Sequence, residues 1–140
     1  MEVMNLEWME QLTAALAAAC PDWPLVTRKV EGGLPRPCLQ LLIEELSLKR
    51  EMGNRWRETA RLQLNWVPTG AERPEDAARQ LSLLVADALP AARVDFKVEN
   101  GRLCGTVTRS ALYFLTPEEA EKMKQQLVTL ALKWQGQPAP

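Results

Sequence analysis

The sequence contains no histidine among its 140 residues. Histidine is the commonest general base and metal ligand, and it activates the nucleophile in Ser-His and Cys-His sites. Adjacent acidic pairs such as Glu44-Glu45 and Glu118-Glu119 are poor substitutes, because neighbouring residues on a strand or helix point in different directions. An enzyme would need a site built on carboxylates or lysine alone, and the sequence indicates no such site. We therefore predict a protein that is not an enzyme.

Cofactor-binding patterns are absent as well. Gly32-Gly33 is followed by Leu-Pro-Arg-Pro, which cannot open a helix as a phosphate-binding loop does. Cys20, Cys38 and Cys104 form no Cys-x-x-Cys pair, and we predict that they are buried thiols in a reducing compartment. We therefore predict neither a cofactor nor a metal.

The sequence also has neither a long apolar run nor a large net charge. The apolar run 83–86 is far shorter than the roughly 20 residues that a membrane helix needs. Glu2, Glu7 and Glu10 stand where a signal peptide would be basic. Seventeen basic and eighteen acidic side chains leave a formal charge of −1, which creates no overall attraction to nucleic acid or an anionic membrane. These features predict a cytoplasmic protein.

What the sequence does contain is the composition of a globular domain, with 46% apolar and 25% charged residues. We predict a single domain over 1–136 and a disordered tail over 137–140. The predicted fold class is α+β. It comprises an N-terminal helix, a mixed or antiparallel sheet with a long β-hairpin, a second helix packed on the sheet, and a short C-terminal helix and strand.

Hydrophobic periodicity places the shorter elements. Apolar spacings of three and four predict a helix over 5–19, capped by Asn5, and a second helix from Pro74 to just before Pro90. The predicted strands outside the long hairpin are 25–30, 93–98 and 102–108. The turn Glu99-Asn100-Gly101 joins the last two as a hairpin.

The C-terminal segment allows two interpretations. Thr116 followed by Glu119 is typical of a capped helix start and predicts a short helix to about Gln126. Apolar residues then alternate over 128–134, which favours a closing strand, although the same residues also fit one face of a helix. We predict the strand.

Residues 37–68 are the most informative segment. Two strand-like runs flank Gly53-Asn54, a dipeptide suited to a tight hairpin turn. The predicted pairs are Met52 with Arg55, Ile43 with Leu64, and Leu41 with Trp66. Strands of about twelve residues, at roughly 3.3 Å per residue, give a hairpin of about 40 Å whose face becomes polar toward the turn. We expect its outer half to leave the core as an arm offered to another molecule.

The outer half of this arm is the predicted interface. In the predicted register, leucines of the first strand share a face with arginines of the second, a mixture typical of interface centres. That face comprises Leu42, Leu46, Leu48, Arg55, Arg57 and Arg61. Trp56, beside the turn, is a further candidate anchor. Two alternatives remain: a helix covers the leucines while the arginines keep an edge soluble, or the arginines line a lumen for DNA, although no aromatic is expected beside them.

The middle of the chain resembles the phage tail terminator family, small proteins of tailed phages and prophages. The resemblance covers roughly residues 7–108 and weakens past Arg109. It is carried by Arg36-Pro37-Cys38-Leu39, by Gly53-Asn54-Arg55-Trp56-Arg57, by Leu62-Gln63-Leu64-Asn65-Trp66-Val67-Pro68, and by the helix from Pro74.

The resemblance implies a structural role in virion assembly. Members of that family form a ring, typically a hexamer, that caps the tail tube, stops its polymerisation and joins the head. The implied partners are other copies of the chain, the tail tube protein and a head-tail connector or stopper protein. The implied location is the host cytoplasm during assembly and then the head-proximal end of the virion tail.

Two other functions remain open from the sequence. The first is another neck component, such as a head-tail connector, which co-purification with tube or connector would distinguish. The second is a monomeric adaptor domain unrelated to phages, which a monomeric state at high concentration would favour.

Overall fold

A computed structural model describes residues 7–27, 33–70 and 72–134. These residues form three helices and one five-stranded mixed sheet of order β1-β2-β3-β5-β4, which confirms the predicted α+β class. The helices are α1 (Trp8–Ala19), α2 (Pro74–Ala88) and α3 (Pro117–Trp134). The strands are β1 (Leu25–Val26), β2 (Cys38–Met52), β3 (Arg55–Val67), β4 (Ala92–Glu99) and β5 (Arg102–Phe114). β1 pairs with β2 in parallel, and the other neighbouring strands are antiparallel.

The main core lies on one face of the sheet. Alternate residues of β3, including Leu62, Leu64 and Trp66, are buried against Leu12 of α1 and Leu81 of α2. Because side chains alternate along a strand, the intervening residues of β3 form the opposite surface, which we call the open face. The strand residues of the main core all share the helix-covered face. On the open face, Cys38, Gln40 and Leu42 are buried, whereas the residues toward the turn are exposed or partly exposed.

The register of the long hairpin differs from the prediction. Met52 pairs with Arg55 as predicted, but Leu41 pairs with Leu64, and Leu39 pairs with Trp66. Irregularities between Ile43 and Glu45 and between Arg50 and Met52 each insert one extra residue into β2. A bulge moves the register by one and reverses the faces beyond it. The predicted pairs were wrong because they assumed an uninterrupted ladder.

The prediction that the outer half of the hairpin is a two-stranded arm is also wrong. β5, expected to end at residue 108, continues to Phe114 and pairs with β3 as far as Arg55. β3 is therefore hydrogen-bonded on both sides, and the outer part of the sheet is a three-stranded extension of β2, β3 and β5. Its distal end is partly packed within its own subunit, so the projection is stiffer and less accessible than an isolated hairpin.

The C-terminal segment is one helix and not a short helix followed by a strand. Met123, Leu127 and Leu130 recur at spacings of four and three and are buried, whereas Val128 and Leu132 are exposed. Burial of this helical stripe against the sheet decides the conformation over the competing alternation. The predicted helix start is confirmed, because the Thr116 N–H donates to the Glu119 carboxylate (2.9 Å) and the Glu119 N–H to Thr116 Oγ1 (3.2 Å).

Several smaller predictions have definite outcomes. The turn before β5 is confirmed, with Asn100 and Gly101 both at positive φ (52° and 74°). Of the cysteines, Cys20 and Cys38 are buried, which raises the pKa of both thiols, but Cys104 is only partly buried. β1 ends at Val26, so Thr27, predicted as part of the strand 25–30, is not in it. The predicted Asn5 cap, strand residues 28–30 and the tail (137–140) lie outside the described residues.

Candidate interface at the distal end of the sheet

The structure separates the seven predicted interface residues. Leu42 pairs with Gln63 on the open face but is buried. The arginines of β3 lie on the open face, as predicted, where their side chains are between 37% and 49% exposed. Between the two bulges the faces of β2 are exchanged, so Leu46 and Leu48 lie opposite Ala60 and Glu58 on the helix-covered face. The predicted mixing of these leucines with the arginines on one surface is therefore wrong.

Leu46, Leu48 and Trp56 pack beneath α3. They border a second buried cluster, distinct from the main core, that contains Leu115, Ala120, Met123 and Leu127. The Lys124 ammonium lies 5.2 Å from the centre of the Trp56 ring, a cation–π contact on the outer side of this cluster. The alternative in which a helix covers the leucines thus matches the structure, and the helix is α3.

Exposed apolar side chains occupy the distal end of the open face instead. Met52 and Phe114 both pair with Arg55, from opposite sides, and Leu112 pairs with Arg57. Met52 is 79% exposed and Phe114 is 69% exposed. Cross-strand neighbours have Cβ atoms about 5 Å apart, so these five side chains form one continuous surface, which we call the tip patch.

Ion pairs hold the arginines of the tip patch in place. Both oxygens of Glu51, the residue inserted at the second bulge, are used: Arg55 Nε lies 2.9 Å from one and Arg57 Nε lies 2.7 Å from the other. Arg57 also donates a hydrogen bond of 2.8 Å to Ser110 Oγ. The hydrogen bond that Arg57 donates to Glu51 is the main reason that the pKa of Glu51 is lowered. The bulge therefore organises the patch.

The tip is more basic than the rest of the protein. Residues 49–57 contain Lys49, Arg50, Arg55 and Arg57 against a single acid, Glu51, which gives a net charge of +3. Because the whole chain carries −1, the remaining residues together carry −4. The distal end is thus a locally positive, partly apolar surface on a weakly acidic protein.

A buried charged cluster lies on the covered face behind the tip patch. Glu58 is fully buried, and its carboxylate accepts hydrogen bonds from Arg109 (2.9 Å) and from the Tyr113 hydroxyl (3.1 Å). The Arg109 guanidinium lies 5.2 Å from the ring centre of Trp8 in α1. Burial raises the pKa of Glu58, and the opposing effects of Arg109 and Tyr113 are smaller. This cluster ties the extension to α1.

The sequence indicated part of this site. The alternation of β3 correctly assigned Arg55, Arg57 and Arg61 to one face. The expectation that no aromatic shares their face is wrong, since Phe114 lies beside Arg55. Phe114 was missed because the end of β5 was not recognised; its alternation with Leu112 was the available signal.

Within the described part of the chain, no three Cys, Asp or Glu side chains converge as metal ligands would. No helix among the described residues combines the length and hydropathy needed to cross a membrane. No protein-family model matches the sequence, and no curated protein matches it significantly.

Proposed function

We propose that the protein is a structural subunit of the phage tail terminator type. In this role it assembles as a ring on the end of a tail tube, stops tube polymerisation and forms the surface that joins the head. The observation that carries the proposal is the tip patch at the end of the three-stranded extension. Gly53 to Arg57, which carry much of the resemblance to that family, form the turn and the first residues of β3 beside the patch.

The chemistry of the tip patch suits a protein partner. Aromatic residues, methionine and arginine are enriched at the centres of protein interfaces. Here Phe114 and Met52 flank Arg55, and all three are exposed. Glu51 already holds two arginines in position, so their side chains have little further entropy to lose when a partner binds. A partner surface with an apolar centre and acidic groups around it would complement this patch.

A contact with DNA is less well supported by the same geometry. Arg55 and Arg57 are both paired with Glu51, and Arg61 contacts Glu44 (3.0 Å) and Glu45 (3.2 Å). Phosphates would have to displace these carboxylates, which repel them. A salt-dependent affinity of the assembled protein for DNA would favour a lumen lined by these arginines.

Electron microscopy of polymerising tail tube subunits, with and without the protein, tests the proposal. The tube protein is taken from the phage or prophage that encodes the chain. We expect shorter tubes that carry a ring at one end. Tubes of unchanged length without such a ring would contradict the terminator function.

Variants of the tip patch test its part in that function. The double variant Met52→Ser/Phe114→Ser removes the two most exposed apolar side chains of the patch, and we expect it to lose tube capping. Val98→Ser, on the exposed edge strand β4, is the matched control and should cap normally. Both should keep the wild-type circular dichroism spectrum and urea midpoint, because exposed side chains contribute little to stability. Normal capping by the double variant would show that the tip patch is not the contact.

A further inference from the structure

Beyond Glu44, the β2 edge of the sheet has no strand beside it among the described residues. β1 pairs with β2 only at Leu39 and Gln40, and no other described strand lies on that side of β2. The backbone groups of β2 on this edge, from Glu45 toward the turn, therefore have no strand partner within the described chain. A row of this kind is a template for another strand.

The sequence of this edge is antisymmetric in charge about Ser47. Glu44, Glu45 and Leu46 precede the serine, and Leu48, Lys49 and Arg50 follow it. If two copies of this segment pair antiparallel with Ser47 opposite Ser47, Glu45 meets Lys49 on the open face and Leu46 meets Leu48 on the covered face, each pair formed twice. Glu44 lies in the first bulge and is outside this regular register. Opposite charges and apolar pairs directly across two strands stabilise the pairing.

The geometry of β2 permits this arrangement. From Glu45 to Arg50 the strand runs without irregularity between its two bulges, so its outer edge is regular over the same six residues. The charged members of the segment are exposed, and Lys49 forms no ion pair with any described side chain. A carboxylate of a second copy can therefore reach Lys49 without breaking an existing ion pair of that lysine.

An apolar groove lies beside the same segment. It has a volume of about 470 Å³ and runs between residues 44–48 of β2 and residues 124–132 of α3. Val128 and Leu132 on its α3 side are exposed. A two-fold axis through Ser47, perpendicular to the sheet, brings the α3 helices of two copies side by side on one face. Val128 and Leu132 would then be covered by the other copy.

We propose that two copies of this chain form a two-fold dimer by antiparallel pairing of residues 45–49 of β2. The pairing joins the two sheets into one continuous sheet of ten strands, since each copy contributes the five described above. The inference goes beyond the proposed function and does not depend on it. A two-fold contact closes on itself and cannot generate a ring, so the dimer is a state of the free protein that leaves both tip patches exposed.

The other sheet edge is a less suitable partner for β2. The side chains of β4 that alternate onto the open face are Arg93, Asp95, Lys97 and Glu99. Within the strand, Arg93 forms an ion pair with Asp95 (3.1 Å) and Lys97 forms one with Glu99 (3.0 Å). Their signs also alternate every second residue, so no antiparallel register opposes both Glu45 and Lys49 with the opposite charge. The self-pairing of β2 has no such conflict.

Charge reversal at two positions gives a sharp test by sedimentation velocity. The wild-type protein should sediment as a dimer of twice 15.8 kDa. Glu45→Lys and Lys49→Glu each place like charges opposite one another twice per dimer, and each should weaken dimerisation by about tenfold or more. An equimolar mixture of the two variants should dimerise again, because every unlike pair is restored between them. The double variant should also dimerise with itself.

Lys97→Glu on β4 is the matched control, because it makes the same charge change at the opposite edge of the sheet. It should dimerise as the wild type does. Three results would overturn the proposal: a wild-type monomer at millimolar concentration, dimers insensitive to both reversals, or the absence of a heterodimer in the mixture. Circular dichroism of each variant shows whether it is folded, and Val128→Glu provides an independent disruption of the groove.

Discussion

Replacing Glu58 with alanine tests how the distal extension is held to the rest of the protein. The substitution leaves Arg109, which is 18% exposed, without its carboxylate, and it removes the acceptor of the Tyr113 hydroxyl. Removing one partner of a buried ion pair costs about 3–5 kcal/mol. Because Arg109 keeps some contact with water, we expect the lower end, about 3 kcal/mol, and a fall in melting temperature on the order of 10 °C.

The assay is urea unfolding of the wild type, Glu58→Ala, Arg109→Ala and the double variant. The two single losses should not add, because each removes the same contact; we expect a coupling energy of about 1–3 kcal/mol. Glu58→Gln is the control, since it keeps the shape and a hydrogen-bond acceptor while removing the charge that burial disfavours. It should cost less than about 1.5 kcal/mol. A loss below about 1 kcal/mol for Glu58→Ala, or additive single losses, would refute this account of the cluster.

The remaining predictions concern stability. Met123→Ala empties a fully buried position on the inner face of α3 and should lower the free energy of unfolding by about 3 kcal/mol in urea titrations. Gly105→Ala should cost about 2 kcal/mol by the same assay, because its Cβ would overlap the Phe96 ring and lie 2.9 Å from the Leu64 carbonyl oxygen. If Gly105→Ala has no effect, the packing between β3, β4 and β5 is looser than described. The pH dependence of stability should differ between wild type and Glu58→Gln. The folded pKa of Glu58 lies above its ordinary value of 4.5, so the folded protein holds this proton more tightly. This contribution is present below pH 4.5 and is lost as the pH rises through the folded pKa, so wild type should lose stability relative to Glu58→Gln on that rise. A constant difference across the range would show that the pKa is not raised.

Local patterns in the sequence were sufficient for much of the fold. The periodicity of the first two helices, the capping residues Thr116 and Glu119, and the turn at Asn100-Gly101 each act over a few residues. Such short-range interactions depend only on residues that are close in the sequence, and the predictions based on them were confirmed. The alternation of β3 likewise placed its arginines on one face.

Tertiary packing decided the features that shape the candidate site. The apolar residues of 127–134 satisfy a helix and a strand equally well in sequence, and only their burial against β2 selects the helix. Nothing in the neighbouring sequence predicted the two bulges in β2. They nevertheless turn Leu46 toward α3 and place Glu51 between two arginines. A one-residue insertion reverses a strand's faces, and its energy depends on what each face meets. Those contacts come from distant parts of the chain. The surface around Phe114 could therefore be recognised only in the tertiary structure and was not predicted from the sequence.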